Sequence, residues 1–184
     1  MNAFIKEAGM PKIIENLQDR IVDCARTRLN EYGYGSLTMR QIASDCNVAP
    51  GTLYNYYKSK EMLVGTIIFD DWKKVLTDID ENIELAASMH DGLEAISKGL
   101  GEFCRRYSAL WQEYGSMTGM GKAYGERHTM LVGAISERVK KVLARFGKDT
   151  SSPVCEILAE AMISLAVHGR HYCEHADVLE RMVI

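Results

Sequence analysis

Apolar residues recur every three or four positions along nearly the whole chain, and strict alternation over strand-length windows is hard to find. That interval returns a side chain to the same face of an α-helix, whereas a half-buried strand needs a period of two. The sequence therefore predicts an all-α fold. From Leu17 the ladder Ile21, Ala25, Leu29 and Tyr32 runs to a stop at Gly33 and Gly35. Thr38 with Gln41 three residues on forms a capping box, which opens a short helix burying Met39, Ile42 and Ala43. Asn47 supplies a turn, and Pro50 suits the first turn of a third short helix through Tyr57.

Ser59 is a good N-cap for a much longer helix. Its ladder Leu63, Ile67, Ile68, Trp72, Val75, Ile79 and Ile83 continues to about Ala87, long enough to join two parts of the molecule. Asp91 opens another helix carrying Leu93, Ile96, Leu100, Phe103, Tyr107, Leu110, Trp111 and Tyr114. Residues 115–125 hold four glycines and read as a loop, a broken helix, or both. Two further helices are expected, at about 126–146 and 153–175, separated by the break GKDTSSP, with Ser152 and Pro153 capping the second.

At 184 residues, 47% hydrophobic and 26% charged, the chain has the composition of an ordinary globular protein that folds without disulfides or a structural metal. Its five cysteines are scattered with no CxxC pair, so reduced thiols are expected. No apolar run is long enough to span a bilayer and the start lacks a signal peptide's apolar centre, so a cytoplasmic protein without membrane contact is expected. The net charge of −3 is unevenly spread: residues 1–60 carry eight Lys/Arg against six Asp/Glu, and the remainder carries the acidic excess. Phosphate neutralisation needs local positive charge, so the front end is where nucleic acid would be met.

Two short helices separated by a tight turn are the arrangement that sets a recognition helix in the major groove. Gly51, Thr52, Tyr54, Asn55 and Tyr56 on the second offer hydroxyls, an amide and a close backbone approach to DNA. Leu53 and Tyr57 read instead as packing residues. Lys58 and Lys60 flank the start of the long helix, where positive charge and free N–H groups together attract a phosphate. The stretch LTMRQIASDCNVAPGTLYNYYKSKEML, residues 37–63, resembles the DNA-binding signature of the tetracycline-repressor (TetR) family, and the likeness extends over about residues 14–66. It departs in two places: Ala49 stands where a capping Ser is common, and Tyr57 replaces a frequent Phe.

The resemblance implies a DNA-binding head at 1–60 and an effector-binding, dimerising body at 61–184. It assigns Thr38, Arg40, Pro50, Gly51, Thr52, Tyr54, Tyr56 and Lys60 to operator DNA, and it makes the last two long helices a dimer-forming pair. The function implied is a repressor that binds a palindromic double-stranded operator as a homodimer and is released by a small, partly hydrophobic effector; an activator or adaptor using the same head remains the alternative. The aromatic and Met-rich run Phe103, Tyr107, Trp111, Tyr114, Met117, Met120 and Tyr124, with Trp72, reads either as an adaptable effector pocket or as plain core. His168, His171 and His175 would fall near one helix face and raise a metal site, but a helix seam or solvent exposure is the preferred reading, so neither metal nor cofactor is expected. No nucleophile elbow, phosphate loop or HExxH motif points to an enzyme.

Overall fold

The computed structural model describes residues 16–117 and 121–183, with only the backbone described for 111–117, 121–127 and 152. The regular structure of the described residues is all helical, as their apolar spacing requires: α1 Leu17–Ser36, α2 Met39–Asp45, α3 Pro50–Tyr56, α4 Lys60–Leu85, α5 Met89–Met117, α6 Gly121–Arg145, α7 Ser152–Val167, a single 3-10 turn at Tyr172–Glu174, and α8 Ala176–Arg181. The contacts divide the chain into two compact units, one ending at Ile67 and the other beginning at Ile68. No helix among the described residues is long and apolar enough to cross a membrane.

The first unit buries Ile21, Val22, Ala25 and Leu29 from α1, Ile42 and Ala43 from α2, Leu53 from α3 and Leu63 from α4. Gly33 breaks α1 near its end with φ 75° and ψ 173°, a backbone region essentially reserved for glycine. Three helix ends close by one device. After α2, α6 and α7 a residue turns left-handed, namely Asn47, Gly147 and Gly169. In each, the next amide reaches back five residues: Val48 to Ala43 O at 2.9 Å, Lys148 to Leu143 O at 2.9 Å, and Arg170 to Leu165 O at 2.9 Å. These are Schellman closures, which satisfy carbonyls that the ending helix leaves unpaired.

The second unit has one core, drawn from Ile79 and Ile83 of α4, Leu93, Ile96 and Leu100 of α5, Ile135, Val139 and Val142 of α6, and Leu158, Met162 and Ala166 of α7. Tyr172, Ala176, Leu179 and Val183 bring the C-terminal segment into the same core. Asp80 of α4 accepts from Arg138 at 2.6 Å and Lys141 at 2.8 Å, pinning this end of α4 to α6.

The structure corrects the sequence reading in three places. The expected 153–175 helix ends at Val167, because the Gly169 closure reverses the chain; His168, His171 and His175 therefore do not share a helix face. Ser151, not Ser152, holds the N-cap position of α7, and its amide and hydroxyl both bond the Asp149 carboxylate instead of capping the helix. The third place is the start of α6, at Gly121 rather than near Glu126; within the glycine-rich stretch α5 runs to Met117, in keeping with the broken helix among the readings of that stretch, since four glycines lower helix propensity without forbidding a helix.

Candidate nucleic-acid interface

Thr38 caps α2, its Oγ1 accepting from the Gln41 amide at 3.3 Å and donating to Gln41 Oε1 at 2.6 Å. Arg40 beside it is exposed. The turn from α2 to α3 is fixed by the left-handed Asn47, one of the few non-glycine residues that tolerates this conformation. Pro50 begins α3 in the extended-to-helical transition that its fixed φ favours. Ala49 occupies the N-cap with an extended backbone and makes no side-chain cap bond.

Within α3 only Leu53 is buried. Gly51, Tyr54, Asn55 and Tyr56 are exposed and Thr52 is half-buried, with Tyr54 and Tyr56 still 43% and 42% accessible despite their size. Tyr57, just past the helix, is buried, as the packing reading of Leu53 and Tyr57 requires. Ser59 caps α4 through the Met62 amide at 3.2 Å. The α2 cap and the outer side of α3 thus present hydroxyls, one guanidinium and one amide, all carried on a buried scaffold.

Lys60 stands differently from the expected bare phosphate cation. Its Nζ donates to the Tyr34 carbonyl at 3.0 Å and lies over the Tyr34 ring, while the Tyr34 hydroxyl donates to Glu61 Oε1 at 2.9 Å. Glu61 is held below the ordinary carboxylate range, first by its own backbone amide and then by the Ser59 hydroxyl. Tyr34 thereby joins the end of α1 to the start of α4, a role the sequence reading missed. Its only signal was an aromatic residue placed between the two helix-stopping glycines. The ammonium retains further N–H donors, so a phosphate would meet a lysine already oriented by the head.

Of the expected effector residues, the structure gathers three. Trp72 of α4 packs on Phe103 of α5 with ring centres 5.0 Å apart, and Phe103 on Tyr107 at 5.1 Å. Phe103 and Tyr107 are buried and Trp72 half-buried. The side chains of Trp111, Tyr114, Met117 and Tyr124, and all of Met120, lie outside the described residues. At the end of this ladder the Tyr107 hydroxyl donates to Asp71 Oδ2 at 2.7 Å, and Arg106 approaches the same oxygen at 3.3 Å. Asp71 is 5% exposed. It was not singled out from sequence, although an acid at the centre of the row Leu63, Ile67, Val75, Ile79, spaced by fours, is the visible anomaly.

Two short helices, a turn with a left-handed hinge, and a second helix buried by one residue define a helix-turn-helix. Residues 21–67 match the family model described as bacterial regulatory proteins, tetR family. The HTH-type transcriptional regulator UidR of Escherichia coli (strain K12) is 40% identical over 65 residues, which make up 35% of this chain and 33% of UidR. The chain thus covers about a third of the length of that relative. Among solved structures, SCO7518 of Streptomyces coelicolor A3(2) is similar over 91% of this chain and 98% of its own, with a TM-score of 0.66 at 18% identity. FadR of Thermus thermophilus, a TetR-family transcriptional repressor solved with lauroyl-CoA, is similar over 90% of this chain and 92% of its own, with a TM-score of 0.59 at 16% identity. At such identities the likeness is one of fold. The head, residues 21–67, is thus similar to the DNA-binding part of the bacterial regulatory proteins of the tetR family.

Proposed function

We propose that this protein is a ligand-responsive transcriptional repressor, which binds a palindromic operator as a homodimer and is released by a small, partly hydrophobic effector. The observation that carries the reading is the outward side of α3, where Gly51, Tyr54 and Tyr56 stay exposed beside Thr52 while Leu53 alone anchors the helix. With Thr38 and Arg40 at the start of α2, Pro50 at the start of α3 and Lys60 behind it, these are the residues assigned to DNA. Backbone-directed groups set the register and the α3 side chains read base edges.

Pairing is supported by α7, whose only charged residues are Glu156 and Glu160, and which leaves Ile157 and Val167 more than half exposed while α6 exposes Met130. Two heads brought together read two half-sites, which is how so small a head gains specificity. The effector is assigned to Trp72, Phe103 and Tyr107, together with Trp111, Tyr114, Met117, Met120 and Tyr124 of the same run in the sequence. The lauroyl-CoA held by the T. thermophilus repressor supports an effector with an apolar part. Release requires that the effector bind the two head arrangements with different affinity.

The test is selection of bound sequences from a random duplex pool, at low and near-physiological salt. Enrichment of a palindrome that survives the higher salt is expected. Recovery of no sequence, with binding that vanishes as salt rises, would overturn the reading.

A further inference from the structure

The head holds two of the five cysteines against one another, one within α1 and the other capping the end of α2. Cys46 follows the last turn of α2 and is 1% exposed, and its Sγ points at the backbone of α1, 3.8 Å from Arg20 O. The Arg20 carbonyl is the acceptor for the amide of Cys24 in the α1 ladder, and a helical side chain leans back over the preceding turn, so the Cys24 thiol covers the same spot. The Arg20 guanidinium also ties α1 to this residue, donating to the Cys46 carbonyl at 3.2 Å. Burial, with the neighbouring Cys24 thiol second, pushes the Cys46 thiol up to about 12, so Cys46 stays protonated.

The two thiols differ in access. Cys24 is half-buried and lines a surface cleft of about 360 Å³ with Asp23, Thr27, Arg28, Glu31, Tyr32 and Asp45, so a small oxidant reaches it. We propose that Cys24 and Cys46 form an oxidation site in the DNA-binding head, closing to a disulfide that staples α1 to the end of α2. With a hydroperoxide as oxidant, the Cys24 sulfur attacks one peroxide oxygen, breaking the O–O bond and giving a sulfenic acid and water or alcohol. The Cys46 sulfur then attacks Cys24 Sγ; the S–O bond breaks, and hydroxide leaves as water with the Cys46 proton. The thiols lose two protons and two electrons in all, which the peroxide takes up. Because Cys46 immediately precedes the Asn47 hinge, the staple acts on the turn that aims α3.

The full-length reduced protein is treated with hydrogen peroxide, capped with N-ethylmaleimide and digested with trypsin without reductant. The expected product is peptide 21–26 joined to peptide 41–58, separated by dithiothreitol and absent from Cys24→Ser. In Cys46→Ser, Cys24 should instead accumulate as a sulfenic acid trapped by dimedone. If Cys46→Ser does not fold, the wild-type peptide map decides alone. Capping of Cys24 and Cys46 as free thiols while the exposed Cys173 is oxidised would overturn the proposal, as would a Cys24 bond to any other cysteine. None of these outcomes depends on an operator, so the proposal stands or falls separately from the repressor reading.

Discussion

The Lys60 ammonium lies 3.8 Å from the centre of the Tyr34 ring and donates to the carbonyl of the same residue at 3.0 Å. A lysine held this way serves the fold as well as any phosphate. Lys60→Ala should lower thermal stability by the equivalent of about 1 kcal/mol, against less than about 0.5 kcal/mol for the exposed Lys58→Ala. Both should weaken binding to all DNA sequences and each should reduce the salt slope by about one unit. Melting curves and salt titrations of the two variants check this; an unchanged slope for Lys60→Ala would confine that residue to a structural role.

Ala49 leaves the N-terminus of α3 without a side-chain cap although its backbone is already extended as a cap requires. Ala49→Ser should therefore raise stability by about 1 kcal/mol. Denaturant unfolding is the measurement, and a loss of stability would show that the Ser hydroxyl cannot reach the α3 amides.

Tyr107→Phe removes the 2.7 Å donor to a carboxylate that is 5% exposed. The oxygen keeps Arg106 at 3.3 Å, a guanidinium more than half exposed. The expected cost is about 1–3 kcal/mol, the range for a buried acceptor losing its partner. Phe103→Leu, which alters only packing, separates the two causes when midpoints and slopes of denaturation are compared.

His90 Nδ1 lies 2.7 Å from Glu180 Oε1, which also accepts from the buried Tyr172 hydroxyl at 2.8 Å. This carboxylate, with Glu94 and Asp91 adding, raises the His90 pKa above the ordinary histidine value. A raised folded pKa means stability that is full below the unfolded value and lost as pH climbs through the folded one. Stability should thus decline from about pH 6 upward, near and above the ordinary histidine pKa. His90→Gln should flatten that segment of the curve; melting temperatures at matched ionic strength decide it.

The helices were legible because burial follows spacing: Ile21, Ile42, Leu53 and Leu63 were all assigned inward and all are fully buried. Helix ends were legible only where a local rule was the whole cause, as at Thr38 and Ser59. At Gly169 the ladder of apolar residues had already stopped at Ala166, but the histidines that follow carried the pattern past the reversal. Spacing can flag an odd residue such as Asp71 but does not name its partner across helices, which is why the pairings of Tyr34 and Asp71 emerged only in three dimensions. The exposed side of α3 was readable because recognition helices are short and can bury little.

A helix as poor in charge as α7 also sets how the protein responds to dilution. Under the pairing proposed above, covering Ile157, Val167 and Met130 is part of folding, so the melting temperature should climb with protein concentration by mass action. Cellular abundance would then tune how much folded regulator exists, before any effector arrives.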